Sequence, residues 1–123
     1  MIRIDKLSKK YDKELVLNNL SCTIKDNCIY GLVGANGAGK STLLRIIMGI
    51  FEKDEGIITI DDELLEDNTM LKQKMVFVPD DLFFYPGYTL LDTAKYYESL
   101  YKDFDMEYLK ELANTLNLSL NTK

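Results

Sequence analysis

Apolar positions along this chain change period from one stretch to the next. Ile2 and Ile4 alternate with Arg3 and Asp5, as in a half-buried strand. Leu7 to Glu14 reads as a polar turn carrying one aromatic, Tyr11. Leu15 to Leu17 resumes an apolar run, and Leu20, Cys22 and Ile24 mark one face of another strand. Lys25-Asp26-Asn27 is a turn by composition, and Cys28 to Val33 is a strand that feeds a glycine-rich stretch. Several strands in succession with no helix among them predict an antiparallel segment.

Beyond the glycines, Leu43 to Met48 is helix-like and stops at Gly49. Phe51 to Gly56 is a polar connection. Ile57 to Ile60 is a β-branched strand ended by Asp61-Asp62, and Leu64 to Lys74 is helical in part. Met75 to Val78 is a continuous apolar run stopped by Pro79, the pattern of a strand buried on both faces. The last third reads as two helices. Thr89 caps the first, with Asp92 three residues on and Leu90, Ala94, Tyr97 and Tyr101 along one face. Asp105 caps the second, where Leu109, Leu112, Ala113 and Leu116 form the core stripe. Phe83, Phe84, Tyr85, Tyr88, Tyr96, Tyr97 and Tyr101 form a dense aromatic group, read mostly as core.

The 123 residues suit one domain or part of one, and 46% hydrophobic content suffices for a core. A net charge of −5 excludes a basic nucleic-acid binder. Cys22 and Cys28 fit reduced thiols better than a disulfide framework. No apolar run is long enough to span a bilayer, and the N-terminus lacks the apolar core of a signal peptide.

The candidate chemistry sits in Gly34-Ala35-Asn36-Gly37-Ala38-Gly39-Lys40-Ser41-Thr42, which reads G-x-x-x-x-G-K-[ST], the phosphate-binding P-loop. Glycines lack Cβ atoms, so backbone N–H groups can close around phosphate oxygens. The N-terminus of the following helix adds partial positive charge. Lys40 supplies a full charge for the β- and γ-phosphates, and the Ser41 hydroxyl can ligate Mg²⁺. Ile57 to Asp61 and Met75 to Asp80 each have the form of a strand ending in an aspartate. Either as a Mg²⁺ carboxylate would make a small complete P-loop kinase, an alternative left open here.

The series Tyr11, Asn18-Asn19-Leu20-Ser21, Gly34 to Thr42, Gly56 to Asp61 and Val76-Phe77-Val78-Pro79-Asp80 resembles the ATP-binding subunit of an ABC transporter. The resemblance implies an α/β fold. Residues 1–88 would form a partial P-loop NTPase core with an N-terminal antiparallel β segment, and residues 89–123 the start of a helical subdomain. It further implies that Tyr11 stacks on adenine, and that the stretch after Pro79 touches Mg²⁺ and the attacking water. ATP and Mg²⁺ would be the cofactors. A transmembrane permease subunit and a second nucleotide-binding subunit would be the partners, with the protein on the cytoplasmic face of the membrane. Soluble ABC-type ATPases without a membrane subunit share these motifs.

Two departures stand out. Asp80 occupies the place of the family's usual glutamine, and the signature motif, Walker B carboxylates and switch histidine are absent. The chain is therefore expected to be the N-terminal part of a longer subunit, inactive alone. The resemblance also implies that Cys28 to Val33 and Met75 to Val78 are not neighbours in the sheet. Both edges would then be unpaired, free to pair with each other or with another copy.

Overall fold

The strands β1 (Ile2–Tyr11) and β2 (Glu14–Ile24) form an antiparallel hairpin, and β1 pairs on its other edge with β3 (Glu55–Ile60), again antiparallel. A two-residue strand, β4 (Glu63–Leu64), folds back on β3, giving the order β2-β1-β3-β4. The computed structural model describes residues 1–123. The stretch expected as a turn from Leu7 to Glu14 is strand as far as Tyr11, and the turn shrinks to Asp12-Lys13, with Asp12 at φ 51°. Pairing with β2 as far as Tyr11, with β3 as far as Ser8, and the Asp54 carboxylate at the Lys10 N–H take up the β1 backbone, so polar side chains there do not break it.

Ile4 and Leu7 are three residues apart, yet both are buried. Strict alternation would send them to opposite faces. Lys6, at φ 51°, and the register shift between Ile4 and Leu7 insert the extra residue of a bulge, which returns Leu7 to the face of Ile4. Two serines repair the ladder there. The Lys6 N–H donates to Ser21 Oγ at 2.9 Å, and the Asn19 N–H donates to Ser8 Oγ at 2.9 Å. Gly56, at φ 99°, is required by the same bulge: a Cβ there would lie 2.6 Å from Leu7 Cα and from the Lys6 carbonyl oxygen.

The helix α1 (Lys40–Ile47) buries Leu43, Ile46 and Ile47 in one cluster with Ile4, Leu7, Leu17 and Ile58 of the sheet. Leu65 and Leu71 complete it. The helix expected within Leu64 to Lys74 is the single turn α2 (Thr69–Lys72), whose first turn is capped by Asn68 Oδ1 accepting from the Leu71 N–H at 3.1 Å. Before it, Asp61 and Asp62 both take positive φ, 50° and 66°, so this pair makes the two-residue turn of a hairpin.

Two apolar runs correct the sequence reading. Neither Cys28 to Val33 nor Met75 to Val78 forms a strand, and they pair neither with the sheet nor with each other. Ile29 and Val33 are almost fully exposed, and Val76 and Val78 are each 72% exposed. No backbone–backbone hydrogen bond involves residues 28–34 or 76–84. A strand buried on both faces needs a strand on each edge, and no strand of the sheet pairs with either run.

The chain divides into two compact units, Met1–Phe77 and Val78–Lys123. The sequence-based division falls at residue 88. In the second unit, α3 (Leu90–Leu100) opens on a capping box between Thr89 and Asp92, and α4 (Met106–Thr115) is capped by Asp105. The N–H groups of Leu90 and Leu91 donate to the carbonyls of Thr122 and Leu120 at 3.0 and 2.9 Å, which ties the C-terminal turn to α3. Ala94 and Ala113 are the buried apolar residues here. The aromatic group is not core: Tyr85, Tyr88, Tyr96 and Tyr97 are exposed. Their rings lean on one another, with Tyr85 at 5.1 to 5.5 Å from Phe83, Tyr88 and Tyr96. Two short helices enclose too little volume to bury so many rings.

Candidate nucleotide-binding site

The loop from Gly34 to Thr42 is closed by its own backbone. The Ala38 N–H donates to the Ala35 carbonyl at 3.1 Å, and Gly37 and Gly39 take φ 82° and 94°, a region open to glycine at little cost. Gly39 is also the N-cap of α1, and a Cβ there would lie 3.0 Å from Leu17 Cδ2 and from the Val16 carbonyl oxygen. The loop is thus seated against β2, a contact that the spacing of the motif does not reveal.

The start of α1 is available to an anion. The helix has no side-chain cap and no acidic residue in its first turn, and no backbone acceptor meets the N–H groups of Lys40, Ser41 and Thr42. Lys40 Nζ donates to the carbonyls of Gly34 at 2.5 Å and Ala35 at 2.7 Å. These two bonds hold the ammonium over the loop and leave one of its three N–H donors unused. Unclaimed N–H groups, a helix N-terminus and a fixed cation are the features that suit a phosphate. Asn36 and Ser41 are exposed beside it.

Tyr11 ends β1 in the same unit and is 40% exposed. Its neighbours are residues that the sequence reading did not single out. Phe51 approaches edge-on at 6.2 Å between centroids, and Lys9 Nζ lies 5.4 Å from the Tyr11 centroid. Asp54 accepts from the Lys10 N–H at 2.6 Å and from Lys9 Nζ at 3.4 Å. The Lys10 N–H, more than the lysine charges, holds the Asp54 carboxyl below the usual carboxylate range. The only sequence signal for Phe51 is an aromatic residue in a polar connection. Asp80 is placed in the second unit, in the exposed stretch after Pro79. The P-loop residues and Tyr11 are therefore gathered in one unit, and Asp80 belongs to the other. A cavity of about 520 Å³ opens at the other end of α1, against Gly49, Phe51 and Ile58, away from the phosphate loop.

The family model of the ABC transporter matches residues 17–122. The chain belongs to the ABC transporter family. Tyr11 precedes the matched segment. The ABC transporter ATP-binding protein YtrB of Bacillus subtilis is 37% identical over 114 residues, covering 93% of this chain and 39% of that protein. Among solved structures, an ATP-binding subunit of an ABC transporter superposes with a TM-score of 0.84 at 25% identity, covering 98% of this chain and 53% of that one. A dimeric ATP-binding cassette bound to ADP and Pi superposes with a TM-score of 0.66 at 27% identity, over 77% of this chain and 45% of that one. The chain thus spans less than two thirds of each of these proteins. Its fold is α/β, a partial P-loop domain with an antiparallel sheet. No helix is long and apolar enough to cross a membrane.

Proposed function

We propose that this chain supplies the phosphate and adenine contacts of an ABC ATP-binding subunit, which couples ATP binding and hydrolysis to transport across a membrane. The observation that carries this reading is the uncapped start of α1, with Lys40 Nζ fixed over a loop whose Gly37 and Gly39 take positive φ. The N–H groups of the loop and Lys40 hold the β- and γ-phosphates, so charge that develops as water attacks the γ-phosphate in line is met by fixed donors. Tyr11 stacks on the adenine.

Ser41 presents an exposed hydroxyl oxygen, the donor type that Mg²⁺ takes, and is the residue of the first unit that would hold it; Asp80, in the second unit, carries an exposed carboxylate of the same donor type. Bound there, Mg²⁺ offsets phosphate charge. Hydrolysis is proposed for an ATP-binding subunit of the length of these relatives, paired with a second nucleotide-binding subunit and a transmembrane permease, on the cytoplasmic face of the membrane. Family membership and the dimeric cassette support that assembly.

Calorimetric titration of the full chain with MgATP tests the reading. Charge-assisted hydrogen bonds contribute about 1.5–3 kcal/mol each, so Lys40→Ala is expected to weaken binding about tenfold or more. Unchanged affinity in a folded variant overturns it.

A further inference from the structure

Tyr11 stands at the end of a hairpin, where a ring is free to swing unless something holds it. Two contacts do. Lys9 Nζ lies over the ring and is itself tethered by Asp54, which the Lys10 N–H anchors in turn. Phe51 meets the ring edge-on, at an interplanar angle of 79°. Phe51 is tied to the P-loop helix: its N–H and that of Ile50 donate to the Arg45 carbonyl at 3.2 and 2.8 Å, after the reversal at Gly49. The Arg45 guanidinium lies 5.4 Å over the Phe51 ring. A continuous path therefore runs from Lys40 along α1 to Arg45, across to Phe51, and on to Tyr11.

We propose that Phe51 and Lys9 are positioning residues, which fix the Tyr11 ring relative to the phosphate loop so that base and phosphates of one nucleotide are engaged together. The inference rests on the adenine reading of Tyr11. Lys9 lies over the ring, Phe51 meets it at a steep angle and restrains its rotation, and Tyr11 keeps exposed surface for the base. A ring already held in place loses little freedom when the base arrives, and that difference appears as affinity. Phe51 also packs against the hydrophobic core. A purely structural role would affect every ligand equally.

The full chain is titrated calorimetrically with MgATP and with magnesium triphosphate, with folding checked by circular dichroism. An aromatic pair of this kind makes Phe51→Leu weaken ATP about three- to tenfold while triphosphate stays within about twofold. Phe51→Tyr, which keeps the ring, restores ATP affinity. Phe51→Leu adds nothing in a Tyr11→Ala background. Lys9→Met, which keeps the stem and removes the charge, shows the same selectivity and carries the test if Phe51→Leu does not fold. Equal loss for both ligands, or a full additional loss on top of Tyr11→Ala, overturns the proposal. If Tyr11→Ala itself weakens both ligands equally, the adenine reading falls and takes this inference with it. If Tyr11→Ala is selective but Phe51→Leu is not, the positioning role alone is overturned.

Discussion

Ile57-Ile58-Thr59-Ile60 and Met75-Val76-Phe77-Val78 are similar stretches with opposite fates. The first lies in β3, paired to β1, with Ile58 buried beneath α1. The second stays irregular, with Val76 and Val78 exposed while Met75 leans on the core and Phe77 is half-buried, and Cys28 to Val33 is irregular and exposed throughout. β-Propensity measures how well side chains suit a pleated, half-buried surface; it does not supply the neighbour that makes one. The sheet even tolerates polar residues and a broken register, because Ser8, Ser21 and Asp54 take up backbone groups that the bulge displaces. Partners decide the outcome more than composition does.

The contrast is sharpest when one kind of truncation is made in both regions. Leu7 is fully buried at the centre of the core. Leu7→Ala is expected to cost about 2–5 kcal/mol, for lost transfer energy plus a residual cavity. Val33→Ala and Val76→Ala remove exposed methyls and are expected to change stability by less than about 0.5 kcal/mol. Urea unfolding followed by circular dichroism measures all three. A comparable loss at Val33 or Val76 would mean that these runs are packed in solution.

Glycine substitutions repeat the comparison with backbone instead of side chain. Gly56→Ala must move the β1 bulge, because its Cβ meets Lys6 and Leu7 backbone atoms at φ 99°. The expected loss is about 1–3 kcal/mol in the same assay, from strain at a special backbone position. Gly31 lies in the exposed run, where a Cβ would meet nothing within 4 Å. Gly31→Ala should be close to neutral, and a large loss there would break the comparison.

Signals written within a few residues were legible from the sequence. The P-loop spacing, the apolar stripe of α1, and the caps at Thr89 and Asp105 all depend on near neighbours. What escaped depends on distant ones. Leu7 joins Ile4 only because Lys6 bulges, and Gly56 is constrained by a strand nearly fifty positions earlier. Phe51 gains its role from Tyr11, forty residues before it. The apolar runs at 28–33 and 75–78 carry the period of a strand, which cannot say whether a partner exists.

If near-neighbour chemistry needs no partner strand, the cap of α3 should contribute where the second unit has little core. Thr89 Oγ1 accepts from the Asp92 N–H at 3.1 Å, and Asp92 Oδ2 accepts from the Thr89 N–H at 3.0 Å. Thr89→Ala is expected to cost about 1 kcal/mol, seen as loss of amide-exchange protection in the first turn of α3. Unchanged protection would mean that the bonds from Leu90 and Leu91 to the C-terminal turn hold the helix start unaided.

The smallest expected effect separates a repaired strand from an unpartnered one by pH. The β1–β3 register skips from Asp5 to Ser8, and Asp54 closes the gap: its N–H donates to the Ser8 carbonyl at 3.0 Å and its carboxylate accepts from Lys10. The folded pKa of Asp54 is lowered, chiefly by the Lys10 N–H, from an ordinary value of about 4. The stabilisation is therefore fully present above the unfolded pKa and is lost as pH falls through the lowered folded value. Carbon-detected NMR titration should place the Asp54 midpoint below the ordinary carboxylate value. Exchange protection at the Lys10 amide should fall over the same range, and Asp54→Asn should remove that dependence. The runs at 28–33 and 76–78 have no such repair and should show no matching change. An ordinary midpoint for Asp54, or Lys10 protection indifferent to it, would mean that the ladder holds the end of β1 without this carboxylate.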